Sequence, residues 1–594
     1  MTAQMTNVPI IELNGRQLTW ELGSALLKVT VEQGLRRASS TEITIDDPGF
    51  RLLSDQLRTF APGTEVTVSF PNGLGSPVRV FTGSISGVRV SCPEEGDHHT
   101  AVTIVAEDAA HGLDTVARTV STANTSLADA LRSALIPYVP TVNVSGLPAG
   151  SRDAVIVTCS PRELLEQVCE HYGVEWWIDP ADKSLNVAAN PTSAPSISLD
   201  LGSDLRDLDF RTGGTATGTV VMRGWDPATK NTLTGQNTPT RSPGPDLLDV
   251  FAQASTADEY RVRARSTFDA TDVTAQASAQ AARFAHAGTV LTARTLRIQP
   301  GLSPRNDLEL TGAGPLSGKH PVVAVRHEWG EVTGTTIVAG DRSLGAVPIS
   351  PSPAQPPVIA PQMIGGTTGL LPGLVTDIND PKNWGRVKVK LPTLGDDVVT
   401  GWARTVLPAA GPGRGMVVPH RVNDEVLVGF EEGDLQRPVV LGAVHNGSDA
   451  APTTTAPRSG DLSSGLTSAN GHVIALTDAT DRATNGVSVK HASGHQILMA
   501  GDQVLVQAAQ GTPLKLQSGQ ASIVLDAQGN IAINGVSVSI TGRTSVEVKA
   551  TTVTTKADAT LNLEGAASAT VKGATVTVSG DAMATVKAAT VAIN

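Results

Sequence analysis

The pattern of apolar and polar positions changes character along this chain, and it is most regular in the final stretch, Thr484 to Asn594. Short segments there set two apolar side chains two residues apart, hence on one face of a strand: Val487/Val489, Ile497/Met499, Val504/Val506, Leu514/Leu516, Ile523/Leu525, Ile531/Ile533, Val538/Ile540, Val546/Val548, Leu561/Leu563, Val576/Val578 and Val591/Ile593. They recur roughly every 7 to 10 residues, and the Gly, Asn, Asp, Ser and Thr between them supply turns and outward polar positions. Such a strand cannot stand alone. Burying one Val, Leu or Ile is worth ~1.5–3 kcal/mol, whereas each residue ordered costs ~1–2 kcal/mol of backbone entropy. Cover has to come from stacking. Two closures satisfy the pattern, one chain coiling into a β-solenoid or several identical chains winding round a common axis. Either gives a rod and not a pocket.

Residues 1–345 read as mixed β and α. Ala25 to Val31, Ser40 to Ile45, Thr64 to Phe70 and Val78 to Val90 look like strands, with turns at Pro71-Asn72-Gly73 and Gly83. Behind Ser160-Pro161, the residues Leu164, Leu165, Val168, Cys169 and Tyr172 fall at helical spacing and Gly173 ends the helix. A strand carrying Trp176, Trp177 and Ile178 follows, turning at Asp179-Pro180, and a second helix is predicted over Val273 to Ala287, capped by Asp272 and stopped by Gly288. Further strands cover Pro321 to His327 and Thr335 to Val338. Residues 346–366, rich in Pro and Gly, form a stiff linker. Within 367–447, five short strands (Leu374 to Asp377, Arg386 to Leu391, Gly401 to Val406, Glu425 to Phe430, Val439 to Val444) suggest a small closed barrel of the OB type. A connector at 448–468 leads to the tail, 469–594, which opens on an internal echo, Ala469-Asn-Gly-His472-Val-Ile474 and Ala492-Ser-Gly-His495-Gln-Ile497.

Composition narrows the class. At 594 residues the chain is too long for one core. Aromatics at 3% suit narrow stacked β-structure, and 58 Gly with 37 Pro, lacking a collagen period, fit a turn-rich β chain. A net charge of −12 without a dense basic block argues against nucleic acid or an anionic membrane as the main partner. Cys92, Cys159 and Cys169 form no CxxC pair and read as buried free thiols of a protein folded in the cytoplasm. The opening MTAQMTNVPIIELNG has no basic stretch before a long apolar run, and no 18-residue apolar segment occurs, so exit from the cell would need a machine rather than a signal peptide or anchor.

The barrel segment carries an ordered set of motifs: Asn379-Asp380-Pro381, Gly385-Arg386-Val387-Lys388-Val389, Trp402-Ala403-Arg404, Gly413 to Gly415, Asp424-Glu425-Val426-Leu427-Val428, Gly433-Asp434 with Arg437-Pro438, and Gly442 with Asn446-Gly447. In these it resembles the OB-fold of VgrG spike proteins and of the needle proteins of contractile phage baseplates. Residues 1–345 resemble the phage late-control D type hub domain, through Phe81-Thr-Gly83-Ser-Ile85, Asp108 to Leu113, the helix and Trp strand at 161–178, and Gly318 to His327. The tail resembles the family's trimeric β-helical needle. The resemblance implies a fold that is mainly β with some α: a duplicated barrel hub domain, an OB-fold barrel and a C-terminal intertwined trimeric β-helix. It implies a homotrimer whose hub receives a hexameric inner-tube protein among baseplate proteins, and whose tail leads the tube through a target membrane touched only transiently. Val538, Ile540, Val546, Val548, Leu561, Leu563, Val576, Val578, Val591 and Ile593 would then face the trimer axis. Because the chain ends within the repeat, no fused effector is expected, and a PAAR-type tip protein, carrying its own metal, would dock at the C-terminal end with effector cargo. Assembly would be cytoplasmic, in a phage tail-like particle that could be released. The type VI apparatus, a phage tail, a tailocin and a free injection particle stay open as the machine.

No catalytic centre, cofactor or metal site is expected. The phage needle proteins carry a lysozyme domain between barrel and needle, and Ser448 to His472 is too short for one. Glu163, Glu166, Glu170 and Glu175 are expected to lie mostly on a solvated helix face. His171 near Cys159 and Cys169 lacks a third orienting group. His98-His99 read as solvated loop residues, His491 and His495 as turn residues, and Gly411 to Gly415 as a barrel turn without a phosphate-loop Lys-Ser/Thr. Trp384, Trp402 and Phe430 are the barrel's candidates for stacking, but Asp396, Asp397, Glu431, Glu432 and Asp434 would repel a polyanion. The other class of reading is a trimeric carbohydrate-binding or depolymerising tailspike, which would want grooved aromatics and paired carboxylates.

Overall fold

A computed structural model describes residues 8–593 other than 57, 74, 93–99, 115–116, 192–193, 213–217, 241–258, 265–267, 287–288, 348, 350–368 and 453–461. Most of the expected linker, His98-His99, Gly288 and part of the connector therefore lie outside the described residues. The chain divides into two compact units, Met1–Ala450 and Ala451–Asn594. None of the described helices is long and apolar enough to cross a membrane.

In the first unit a 13-stranded sheet gathers strands from both halves of residues 10–340. Its seam is the antiparallel pairing of Leu26–Gly34 with Gly318–Trp329, where Val31 faces His327 and Val29 faces Trp329. Alternation of apolar and polar residues decides which face is covered. Ile43, Ile45, Val66, Val68, Phe70 and Phe81 fill a core on one side of the seam, and Leu291, Ala293, Leu308, Leu310, Ile337 and Ala339 fill one on the other.

Between them, residues 109–188 carry a third core around Trp176, built by the helices Leu127–Leu135 and Pro161–Tyr172. The second of these begins in a capping box, Ser160 with Glu163, has Pro161 in its first turn and ends at Gly173 with φ 66°. The other predicted helix is observed at Ala270–His286 and starts earlier than expected. Asp269, not Asp272, accepts the first free N–H groups, from Thr271 at 2.8 Å and Asp272 at 3.0 Å. Asp272 lies inside the first turn, and its side chain accepts from the Phe268 N–H at 3.0 Å.

The barrel closes as expected. Its sheet runs Lys388–Lys390, Leu371–Asp377, Glu425–Phe430, Pro438–Ala443, Arg404–Thr405, and the bridge Val387 to Ala403 joins the last strand to the first. Val375, Val389, Val426, Val428 and Val440 point inward, and with them packs Ile156, a residue of the hub strand Ser151–Val157.

The second unit is a chain of antiparallel hairpins. Five strands, Leu462–Thr467, Val473–Asp478, Gly486–Lys490, Gln496–Ala500 and Val504–Gln507, form one sheet, and Leu514–Ser518, Ala521–Leu525 and Ile531–Asn534 form a second. No described residue after Asn534 belongs to a strand. Among the described residues every ladder of this unit is antiparallel between consecutive strands, unlike the parallel pairing between the coils of a single-chain β-solenoid, one of the two closures open from the pattern.

Candidate functional site

Two surfaces carry the features singled out in the sequence. The first is the barrel and its seat on the hub. Asp380, Pro381, Gly385 and Arg386 form one loop, folded around a carboxylate. Asp380 accepts N–H bonds from the backbone of Lys382 (3.0 Å), Trp384 (2.8 Å) and Arg386 (3.3 Å), and from the Arg386 guanidinium Nη2 at 2.6 Å. Gly385 supplies the left-handed turn, φ 72°, that brings Arg386 back over the carboxylate. Burial opposes the charge, yet the Arg386 side chain and the backbone donors hold the Asp380 carboxyl far below the usual range.

Arg386 also lies 5.2 Å from the Trp384 ring centre and 5.8 Å from that of Trp402, while Lys382 and Lys388 approach the same two rings at 5.2 and 5.1 Å. Both indoles are thus already engaged by the chain's own cations, and Phe430 packs against the barrel core. On the opposite turn Gly433 has φ 77°, Asp434 is buried and accepts from Gln436 N at 3.0 Å, and Arg437 pairs with Glu431 at 2.6 Å just before Pro438 opens its strand. Asp424 accepts from Arg421 N at 2.8 Å, and Glu425 from Asn446 at 2.6 Å. The motif residues shape two turns and buried pairs, and they do not converge on one pocket.

Sequence reasoning missed the residues that face this barrel from the hub. Arg152, buried in the strand Ser151–Val157, donates from Nη1 to Gln436 Oε1 at 2.6 Å and from Nη2 to the Tyr172 hydroxyl at 2.6 Å. Tyr172 in turn donates to Asp272 at 3.2 Å, and the Arg152 guanidinium stacks 4.4 Å over the Phe268 ring. The only local signal was a lone arginine ahead of an apolar run.

Of the four carboxylates expected mostly on a solvated helix face, Glu163 is exposed there, and the other three are partly or fully buried. Glu163 is the capping-box residue. Glu166 accepts from Arg36 at 2.6 Å and from Trp176 Nε1 at 3.0 Å. Glu170 bridges Arg36 at 2.7 Å and Arg283 at 2.6 Å. Glu175 is 5% exposed, and burial pushes its carboxyl up to about 7. Arg36, held in the left-handed region at φ 63° with its N–H bonded to Trp176 O at 2.8 Å, is what Glu166 and Glu170 turn inward to meet. Cys169 lies in the same cluster, and burial pushes its thiol well up, which disfavours the thiolate a nucleophile needs.

The second surface is the tail. In the ladders Leu476 lies opposite Val487 and Ile474 opposite Val489. Val487 meets Met499 and Val489 meets Ile497, and these meet Val504 and Val506. The second sheet sets Leu516 against Ile523 and Ile523 against Ile533. Every apolar pair predicted between Val487 and Ile533 is thereby brought onto one face of its sheet, and most of that face is exposed, from 38% at Ile523 and Leu525 to 74% at Val504. The ten residues expected at a trimer axis are also uncovered, from 50% exposed at Val591 to 91% at Ile593. At the turns His472 Nδ1 accepts from Ala492 N at 3.2 Å and His495 Nδ1 from Ala509 N at 3.0 Å, so the Gly-His echo tethers successive turns.

With this geometry in hand, residues 371–445 match the family model described as the type VI secretion system/phage-baseplate injector OB domain. This segment is VgrG-like. Over 96 residues it is 34% identical to the type VI secretion system spike protein VgrG4b of Pseudomonas aeruginosa, a match covering 16% of this chain and 12% of that relative. Among solved structures it is similar to the Francisella PdpA-VgrG complex in its lidded form (10% identity, TM-score 0.47, covering 89% of this chain and 79% of that one). It is also similar to the E. coli c3393 protein, described as a type VI secretion component structurally similar to T4 tail proteins (13% identity, TM-score 0.41, 73% and 99%).

Proposed function

We propose that this chain is the non-enzymatic hub and spike of a contractile injection machine, acting as a homotrimer that adapts a hexameric inner tube to a membrane-puncturing tip. The observation that carries the reading is the tail: a continuous apolar face on a chain that forms no ladder with itself beyond Asn534. Backbone and side chains alike find partners if two further copies wind round the same axis, and a rod made this way has no open sheet edges. Homology to VgrG spike and phage baseplate proteins supports a structural spike role, and the ordered barrel motifs fit the neck of such a device. Tube, baseplate and tip proteins are its expected partners, with cargo carried at the tip and assembly in the cytoplasm.

Of the four acids singled out in the sequence, Glu166 and Glu170 are tied into ion pairs with Arg36 and Arg283 and Glu163 caps its helix, which fits a scaffold. The deciding measurement is the mass of the purified chain by light scattering and sedimentation. A stable species near three times 61.3 kDa with a high frictional ratio is expected. A compact monomer would sink the reading.

A further inference from the structure

The contact between hub and barrel is not of the loose kind that two domains joined by a linker usually make. Ile156 is fully buried and belongs to the barrel's own core beside Val375, Val398 and Leu435, so the hub strand Ser151–Val157 supplies part of the barrel's interior. Four residues earlier Arg152 reaches the barrel turn at Gln436, whose backbone is fixed by Asp434. Behind Arg152, Tyr172 and Asp272 come from the hub's two longest helices. On the same strand Asp153 lies 3.9 Å from Arg386, and a Cβ built on barrel residue Gly401 would stand 3.0 Å from the Asp153 Cβ. One strand therefore touches the barrel at its core, at a polar turn and against Gly401, while Val155 and Val157 pack into the hub's own core.

We infer that hub and barrel move as one rigid body, clasped through Arg152 and Ile156, and that axial thrust crosses from hub to barrel through this seat rather than along the connecting segment 346–366. The thrust itself rests on the spike reading; the clasp does not. A flexing joint would have to expose Ile156 and strip the Arg152 guanidinium of Gln436, leaving a buried charge short of partners. The covalent connection then serves to keep the two parts together during folding and is dispensable afterwards.

The test uses the full chain with a site-specific protease site inserted within residues 350–366. After cutting, the two fragments are expected to elute together at micromolar concentration. The Arg152→Met and Ile156→Asp variants, eluting like the parent before cutting, are expected to release the barrel fragment with affinity lowered ~100-fold or more, as loss of one partner from a buried charged contact entails. Separation of the cut parent, or a variant whose fragments stay together as tightly as the parent's, overturns the inference. Co-elution reads the clasp whether the protein is one copy or three, so a monomeric mass would refute the spike reading and leave this result standing.

Discussion

Removing one member of the Asp380–Arg386 pair strands a charge beneath the barrel surface, because the Asp380 side chain is 3% exposed and that of Arg386 8%. Asp380→Asn is expected to destabilise the first unit by ~3–5 kcal/mol in urea unfolding followed by tryptophan emission; a cost under ~1 kcal/mol would show that the loop stands without the pair. The contribution of Asp380 is complete above its ordinary value of 3.8 and is lost as pH falls further, since the folded state holds the carboxyl lower. Glu175 has the opposite sign. Its folded value of about 7 exceeds the ordinary 4.5, so the folded state binds the extra proton between those values and stability drains away as pH rises through them, by up to ~3 kcal/mol. Asp108 and Asp434, both pushed up by burial to about 6, act in the same direction, while buried His327, lowered to about 4, opposes them below pH 6.5. The clean readout is therefore a difference: Glu175→Gln should melt at nearly the wild-type temperature at pH 5 and above it at pH 8. Identical pH profiles would remove Glu175 from the account.

Elements whose reasons are local were readable in the chain. The helix at 161–172 has its cap, its proline and its terminal glycine within fourteen residues, and Glu425–Phe430 carries its alternation plainly. So do the tail pairs from Val487 to Ile533, since a strand's two faces follow from its period alone. What stayed hidden depends on partners distant in sequence. Glu166 resembles any exposed helix acid until Arg36, 130 residues earlier, is folded against it, and Arg152 cannot announce Gln436 across 284 residues. The misplaced cap is a shorter-range ambiguity: Asp269 and Asp272 are both sound capping residues, and Asp272, one turn in, accepts from the Phe268 N–H with one oxygen and from Tyr172 with the other. Motif reasoning found the barrel turns correctly but could not say that their backs are seats for the hub.

At the scale of the whole molecule the decisive question is what becomes of residues 535–593, which make no ladder and leave their apolar side chains uncovered. A backbone in that condition is at odds with the pattern that specifies it, because Val, Leu and Ile recurring at one face are costly to keep in water and unpaired N–H groups exchange freely. Winding of identical copies removes both conflicts at once and would leave the amides of this segment among the best protected in the protein. Hydrogen exchange followed by mass spectrometry on the intact protein separates the alternatives without relying on overall mass. Peptides spanning 538–593 are expected to retain deuterium-free amides for hours, at a level matching the Val375 and Val426 strands of the barrel, and Val546→Asp with Val548→Asp should open the segment locally while the barrel stays protected. Complete exchange within seconds in the unmutated protein would mean that these residues have no partner in solution, and the apolar repeat would then need an explanation other than self-association.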